Sequence, residues 1–255
     1  MLRLDGGVHV VLGAGFGIGY QISQALASVG ATVVCVDRDA DRAEKVAAEI
    51  DGIAWTGDIT DRSTMRGLFE FIDERCGRLD GVVDIVGLAR YKAMIDLTDD
   101  DWDFHEQMVI RHAYLALEYS ARYWQRTGTS GSVTFVASVA GMTSSPKTSA
   151  YGAYKAALMS LVRTAAVELG PDGIRVNAVA PGVVRTPRQQ DNPKWTGELL
   201  ESNISKTPLR KLAYPSDVAG VLLFLSSQLA GHVTGQSIIV DGGNSTVFNV
   251  DVPHP

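Results

Sequence analysis

The sequence predicts an α/β fold: a doubly wound parallel sheet of about seven strands with helices on both faces, in a single domain spanning residues 1–255. Three observations lead there. Short apolar runs rich in β-branched residues alternate with longer amphipathic segments along the whole chain. A length of 255 residues with 45% hydrophobic content suits one large globular unit. The first apolar run ends in a glycine cluster that opens onto a helical pattern.

In chain order, the expected strands are His9 to Leu12, Thr32 to Val36, Ile53 to Thr56, Gly81 to Val86, Ser132 to Ala137, Arg175 to Val179 and Ser237 to Val240. The segments between them are long enough to serve as crossover helices. One helix is expected from near Tyr20. Another starts near Asp99, because Thr98 followed three positions later by Asp101 has the form of a capping box, and it runs to about Gln125. A third spans Ser149 to Gly170. Gly128 to Ser132 is a turn between helix and strand, not a linker, and the chain carries no internal repeat or low-complexity tract.

Composition narrows the function. A formal charge of −6 and a pI near 5.4, with basic residues scattered among acids, argue against a nucleic-acid partner. Cys35 and Cys76 have neither pairing nor ligand spacing, which fits a reducing compartment. No stretch approaches the roughly 18 apolar residues of a membrane span, so a cytoplasmic location is the expectation. The five histidines do not cluster; His105 and His112 fall about two helical turns apart without evident carboxylate or cysteine partners, so no metal site is expected.

The first strand runs directly into Leu12-Gly13-Ala14-Gly15-Phe16-Gly17-Ile18-Gly19. A tight turn and a close approach of backbone to a pyrophosphate both exclude a Cβ, and the helix that follows offers free N–H groups and a positive dipole end. At the end of the second strand stands Asp37, at the distance where dinucleotide folds place an acid on the adenosine ribose. A carboxylate there accepts hydrogen bonds from both ribose hydroxyls and repels a 2′-phosphate, which favours NAD over NADP; the neighbouring Arg38 works against that repulsion.

Tyr151 and Lys155 sit at i and i+4, one turn apart on the same face of the expected helix. A surface helix pair would have the same spacing. A phenol beside a fixed cation, however, is an acid whose titration can be lowered from its usual value near ~10, allowing proton exchange with a substrate hydroxyl or carbonyl. Ser138, just after a strand, would hold the same oxygen by a second hydrogen bond.

Taken together these residues resemble the short-chain dehydrogenase/reductase family over essentially the whole chain. Gly13, Gly17 and Gly19 match its nucleotide-binding glycines, Asp58 in Gly57-Asp58-Ile59-Thr60 its adenine-contacting acid, and Ser138, Tyr151 and Lys155 its catalytic set. Asn177 to Gly182, Thr186, Thr234-Gly235-Gln236 and Val240-Asp241-Gly242-Gly243 follow in the family's order. The resemblance implies a Rossmann-type fold and NAD-dependent hydride transfer between a secondary alcohol and a ketone, with Tyr151 as acid or base and Lys155 both lowering its pKa and holding the nicotinamide ribose. It implies a cofactor site made of Gly13, Gly15, Phe16, Gly17, Ile18, Gly19, Asp37, Arg38, Asp58, Ile59, Gly87, Tyr151, Lys155, Pro181, Gly182, Val184 and Thr186. Leu88, Val139, Met142, Thr143, Val183 and Arg188 would line the substrate pocket, with residues 187–212 as a lid. That mostly apolar lining suggests a hydrophobic or alicyclic skeleton, while Arg90, Lys92, Arg111 and Arg188 leave room for an acidic group. By analogy the chain would form a homotetramer through the helices Asp99 to Gln125 and Ser149 to Gly170, and the tail 244–255 could reach a neighbour.

Three positions depart from the family. Asp84-Ile85-Val86-Gly87 replaces an Asn-Asn-Ala-Gly, Val109 stands where a catalytic asparagine supports a water beside the lysine, and Leu12 replaces a threonine. Two other readings therefore stay open: an NADPH-type reductase in the style of 3-oxoacyl carrier-protein reductases, and a degenerate dinucleotide-binding sensor or scaffold.

Overall fold

The computed structural model describes residues 3–193 and 195–247, so most of the expected tail lies outside the described residues. Seven parallel strands form one sheet in the order β3-β2-β1-β4-β5-β6-β7. They are β1 (Val8–Leu12), β2 (Thr32–Asp37), β3 (Ile53–Thr56), β4 (Gly81–Asp84), β5 (Ser132–Val136), β6 (Arg175–Pro181) and β7 (Ser237–Val240). The strand order reverses direction at β1, flanked by β2 on one side and β4 on the other, and a crevice for ligands opens beyond the carboxyl ends at such a point.

Successive strand residues face opposite sides, so each face carries its own core. Val10 and Leu12 pack with α3 (Arg62–Cys76), α5 (His112–Thr127) and α6 (Ser149–Leu169) through Met65, Leu68, Leu115, Trp124, Leu158 and Val162. Val11 and Val83 pack on the other face with α1 (Ile18–Ser28), α2 (Ala40–Glu49) and α9 (Pro215–Ser226) through Ile22, Leu26, Val46, Val218 and Leu222. Both faces of the sheet are covered, which is why the strands read as continuous apolar runs rather than alternating ones.

Every expected strand is present, and the differences are at the ends. β4 stops at Asp84 because the Asp84 carboxylate accepts the Val86 N–H at 3.0 Å, turning the chain where a strand was expected to continue to Val86. β6 runs two residues further, to Pro181, pairing with β7. α1 starts at Ile18 rather than near Tyr20. The Thr98–Asp101 capping box forms, opening α4 (Asp99–His105). Between α4 and α5 the helix widens into a π turn, Glu106–Arg111, where an unbroken α-helix was expected. The expected lid holds two short helices, α7 (Pro187–Gln190) and α8 (Gly197–Lys206). Among the described residues no helix is long and apolar enough to cross a membrane, and no group of His, Cys, Asp and Glu side chains could hold a metal ion.

Candidate active site

A cleft of about 220 Å³ lies beyond the carboxyl ends of the central strands and is lined by Gly13, Phe16, Asp37, Asp58, Gly87, Met108, Thr186 and Arg188 among others. A larger cavity of about 600 Å³ opens at the amino ends of the strands, but it contains none of the expected catalytic or cofactor residues. The chemistry points to the smaller one.

Gly13 and Gly17 take positive φ values of 85° and 57°, a conformation that side chains with a Cβ disfavour. A Cβ on Gly19 would run into the Gly13 carbonyl, so this glycine lets the helix start against the loop. Gly17 caps α1 without a side-chain hydrogen bond, leaving the amino end of the helix open to an anion. Gly15 faces a different neighbour: its Cβ direction is filled by Asp37 and Arg42, and its N–H donates to Asp37 Oδ2 at 3.1 Å. Ile18 lines the cleft beside Gly17. Asp58 accepts from both the N–H and the hydroxyl of Thr60, at 3.0 and 2.7 Å, and with Ile59 lines the same cleft as Asp37. A glycine loop with an uncapped helix end and a strand-end acid beyond it fits a dinucleotide.

Around Asp37 three arginines gather. Arg42 pairs with Asp39 at 3.1 Å and lies 5.4 Å from the centroid of the Phe16 ring, while Arg188 lies 5.8 Å from the same ring. Burial and the nearby Arg42 and Arg38 lower the Arg188 pKa, and Asp37 opposes that shift. Arg188, expected on the substrate side, thus stands at the Asp37 end of the cleft. Leu88 lines the same cleft. Pro181 ends β6, a Cβ on Gly182 would strike Asp241, Val184 makes a single bridge with Ala213, and the Thr186 hydroxyl caps α7.

Ser138, Tyr151 and Lys155 come together at the ends of β5 and α6. The residues after Ser138 form a single turn, Val139–Gly141, and the Ser138 hydroxyl accepts the Ala140 N–H at 3.2 Å. Met142 and Thr143 follow in exposed positions, with the Thr143 hydroxyl bonded back to the Val139 carbonyl; Val183 lies half-buried after β6. A Cβ on Gly152 would meet the Ala140 carbonyl at 2.8 Å, so this glycine seats α6 against the Ser138 turn.

Lys155 is 2% exposed and donates to the Val136 carbonyl at 2.7 Å; its nitrogen lies 5.7 Å from the Tyr151 ring centroid. Burial pushes the lysine down to about 8, and Asp84 pulls it back up. Tyr151 differs from the sequence expectation. Burial pushes its phenol up to about 12, Tyr91 adds to the rise, and the Ser138 hydroxyl opposes it. Desolvation of the phenolate outweighs the hydrogen bond here, so the chain's own residues hold Tyr151 protonated at neutral pH.

Several residues near this centre take roles that the sequence did not indicate. His105 is fully buried with its ring 6.2 Å from that of Tyr151. Its Nδ1 is 2.6 Å from the Asp101 carbonyl and its Nε2 accepts the Arg90 N–H at 3.0 Å, which assigns the hydrogen to Nδ1. It thereby ties the loop after β4 to α4 beside Tyr151. Lys92 pairs with Asp101 at 2.5 Å and Arg90 with Asp100 at 2.8 Å, so two of the cations expected to leave room for an acidic substrate already have carboxylate partners. Val109 is completely buried. His112, expected to lack a carboxylate partner, has one: its Nδ1 lies 2.6 Å from Asp84 Oδ2.

Comparisons with known proteins agree with this geometry. A family model described as enoyl-(acyl carrier protein) reductase matches residues 13–245. The chain is 32% identical over 247 residues to 3-oxoacyl-(acyl-carrier-protein) reductase of Thermotoga maritima, covering 95% of this chain and 99% of that one. It is 35% identical over 250 residues to a short-chain dehydrogenase/reductase of Armillaria gallica, covering 94% and 96%. The solved structure of 7α-hydroxysteroid dehydrogenase complexed with NADH and 7-oxo glycochenodeoxycholic acid superposes with a TM-score of 0.89 at 32% identity, over 94% of this chain and 95% of that one. With the parallel seven-stranded sheet, the glycine loop and the shared length, these matches make the chain a member of the short-chain dehydrogenase/reductase family, an NAD(P)-dependent oxidoreductase acting on CH–OH groups.

Proposed function

We propose that the protein interconverts a secondary alcohol and a ketone with NAD as its preferred cofactor, using Ser138, Tyr151 and Lys155. The observation that carries this reading is the convergence of those three side chains beside Gly87, which adjoins Lys155 Nζ and lines the same glycine-rich cleft as Asp37. Gly13, Gly17, Gly19 and the open end of α1 would hold the pyrophosphate, Asp37 the adenosine ribose, Asp58 the adenine, and Lys155 the nicotinamide ribose. The cofactor, when bound, supplies the hydride acceptor or donor.

The chain's own residues handle the oxygen and the proton. Ser138 holds the substrate oxygen, and Tyr151 gives its proton to a forming alkoxide or takes one from an alcohol. A phenol held protonated at neutral pH carries the proton that ketone reduction requires. In oxidation the Lys155 charge must favour the phenolate. The His105 tie and the Arg90 and Lys92 ion pairs fix the loop beside Tyr151 and leave few free cations there, which supports an apolar skeleton over an acidic one.

A second reading concerns the cofactor. Arg38, Arg42 and Arg188 cluster near Asp37, and guanidiniums are suited to a 2′-phosphate. The reductase name of the Thermotoga maritima relative points the same way. Titration of NADH and NADPH by reduced-nicotinamide fluorescence separates the two, and tight NADPH binding with no NADH binding would overturn the NAD preference. Turnover is tested by reduced-nicotinamide absorbance with secondary alcohols, 3-hydroxyacyl thioesters and hydroxysteroids. Tyr151→Phe is expected to lose about 10²–10⁴-fold in kcat. A wild type inert with every compound would favour the sensor or scaffold. Exposed Tyr114 on α5 and Val167 on α6 support a homotetramer; a monomeric mass in solution would contradict it.

A further inference from the structure

Asp84 and His112 form a buried pair that the family's pattern does not contain. Both are 1% exposed, Asp84 at the carboxyl end of β4 and His112 at the start of α5. Asp84 uses both oxygens: Oδ1 accepts the Val86 N–H at 3.0 Å, and Oδ2 lies 2.6 Å from His112 Nδ1. For that contact to be a hydrogen bond to a carboxylate, Nδ1 carries the hydrogen. Nε2 is buried with no partner among the described residues, so a neutral ring costs less than an imidazolium with a stranded N–H. His112 then donates to Asp84 without cancelling its charge.

The charge that balances Asp84 is on Lys155. Asp84 and Lys155 do not touch. From the elements around the ammonium, the groups that face it are the Val136 carbonyl of β5, Gly87 of the loop after β4, and the Tyr151 ring on its own helix, none of them charged. A methyl on Gly87 would stand 3.1 Å from Lys155 Nζ and 3.9 Å from the Met108 carbonyl of the π turn, again an uncharged group. The fold brings Asp84 toward this ammonium: in the β4–β5 register Asp84 lies opposite Phe135, one residue before the Val136 carbonyl that accepts from Lys155, and its charge opposes the loss of the lysine proton. A buried ammonium with no counter-charge gives up its proton readily, and a neutral lysine can neither favour a phenolate nor hold a ribose as a cation.

We propose that Asp84, clamped by His112, is a positioning residue: it supplies the counter-charge that keeps Lys155 cationic in the interior, in a chain where Val109 has replaced the asparagine expected to support that lysine. The role of Lys155 in turnover rests on the function proposed above, but its charge state can be read without substrate. In protein carrying ¹³C-labelled lysine, the Lys155 resonance, assigned by its absence in Lys155→Met, is expected to titrate near pH 8 in the wild type. In Asp84→Asn, which keeps the shape and one hydrogen bond, the midpoint is expected to fall by about one pH unit, a tenfold easier loss of the proton. The pH at which kcat for ketone reduction declines should move down with it, a change that a purely structural role would not produce. His112→Asn places an amide nitrogen where Nδ1 stands and is expected to titrate like the wild type. An unchanged Lys155 midpoint in Asp84→Asn overturns the assignment, as does a His112→Asn midpoint lowered as far as that of Asp84→Asn, which would transfer the role to the imidazole. If Asp84→Asn does not fold, a Lys155 already neutral at pH 7 in the wild type overturns it. An inactive wild type with the expected titrations would count against the proposed function alone.

Discussion

Replacing Lys155 by methionine should separate stability from activity. The side chain is 2% exposed and burial lowers its ammonium from 10.5 to about 8. That fall corresponds to about 3 kcal/mol of cost in holding the charge in the folded state, with the attraction of Asp84 already included. Below pH 8 the lysine is charged in both folded and unfolded protein, and the cost is full. Between pH 8 and 10.5 the folded protein releases the proton first and the cost shrinks; above 10.5 it is gone. Methionine has a similar length and no charge to desolvate. Allowing about 1 kcal/mol for the lost hydrogen bond to the Val136 carbonyl, Lys155→Met is expected to be more stable than wild type by about 2 kcal/mol at pH 7. That is about 4–8 °C in Tm for a chain of this size. The advantage should disappear by about pH 10, while turnover is lost at every pH. Urea denaturation at fixed protein concentration and without added dinucleotide, at pH 7, 8.5 and 10, reads the difference. A variant less stable than wild type at pH 7, or a difference that does not change with pH, would refute the reasoning.

Other residues give independent tests. His9 is buried and lowered to about 4 from 6.5, so its contribution is full above pH 6.5 and lost as the pH falls toward 4, by about 3 kcal/mol; His9→Val should flatten the urea midpoint across that window, and an unchanged slope would exclude it. Gly19→Ala forces a methyl against the Gly13 carbonyl and should cost about 1–3 kcal/mol together with the thermal shift caused by NAD; a variant that melts and binds like wild type would contradict the close approach. Arg188→Ala should weaken NADP about tenfold relative to NAD if its guanidinium serves a 2′-phosphate, and an unchanged ratio of dissociation constants would remove it from cofactor choice.

The sheet was legible because its central strands are buried on both faces and therefore appear as uninterrupted apolar runs with glycine or helix signals on either side. Its ends were less so. Nothing in an apolar pattern shows that the Asp84 side chain turns the backbone at Val86. The glycine loop, Asp37 and the Ser138, Tyr151 and Lys155 set could be found because their chemistry fixes their spacing along one strand–turn–helix unit or one helix face. Arg42 and Arg188 are far apart in sequence and meet across Phe16 only in the folded chain, so no local signal joins them. Asp84 was visible as a departure, but its partner His112 was not, since the π turn alters which helix residues face the sheet. The rise in the Tyr151 pKa depends on burial, which a sequence does not state.

The π turn also governs how this helix can change. His105 and His112 are about two α-helical turns apart, yet one lies against Tyr151 and the other bonds Asp84, because the wider turn rotates less per residue and sets the two halves of the helix out of phase. An unbroken α-helix would hold the two halves at about the same relative angle with one residue fewer, so the extra residue of the π turn is what lets histidines seven positions apart reach different partners. Deleting one residue within Glu106–Arg111 would therefore let an α-helix form while Leu115, Ala116 and Trp124 keep facing the core. The change would fall on the turn itself, where the Met108 carbonyl lies next to Gly87 and Lys155, so the segment nearest the lysine can be rebuilt without unpacking the helix that follows it.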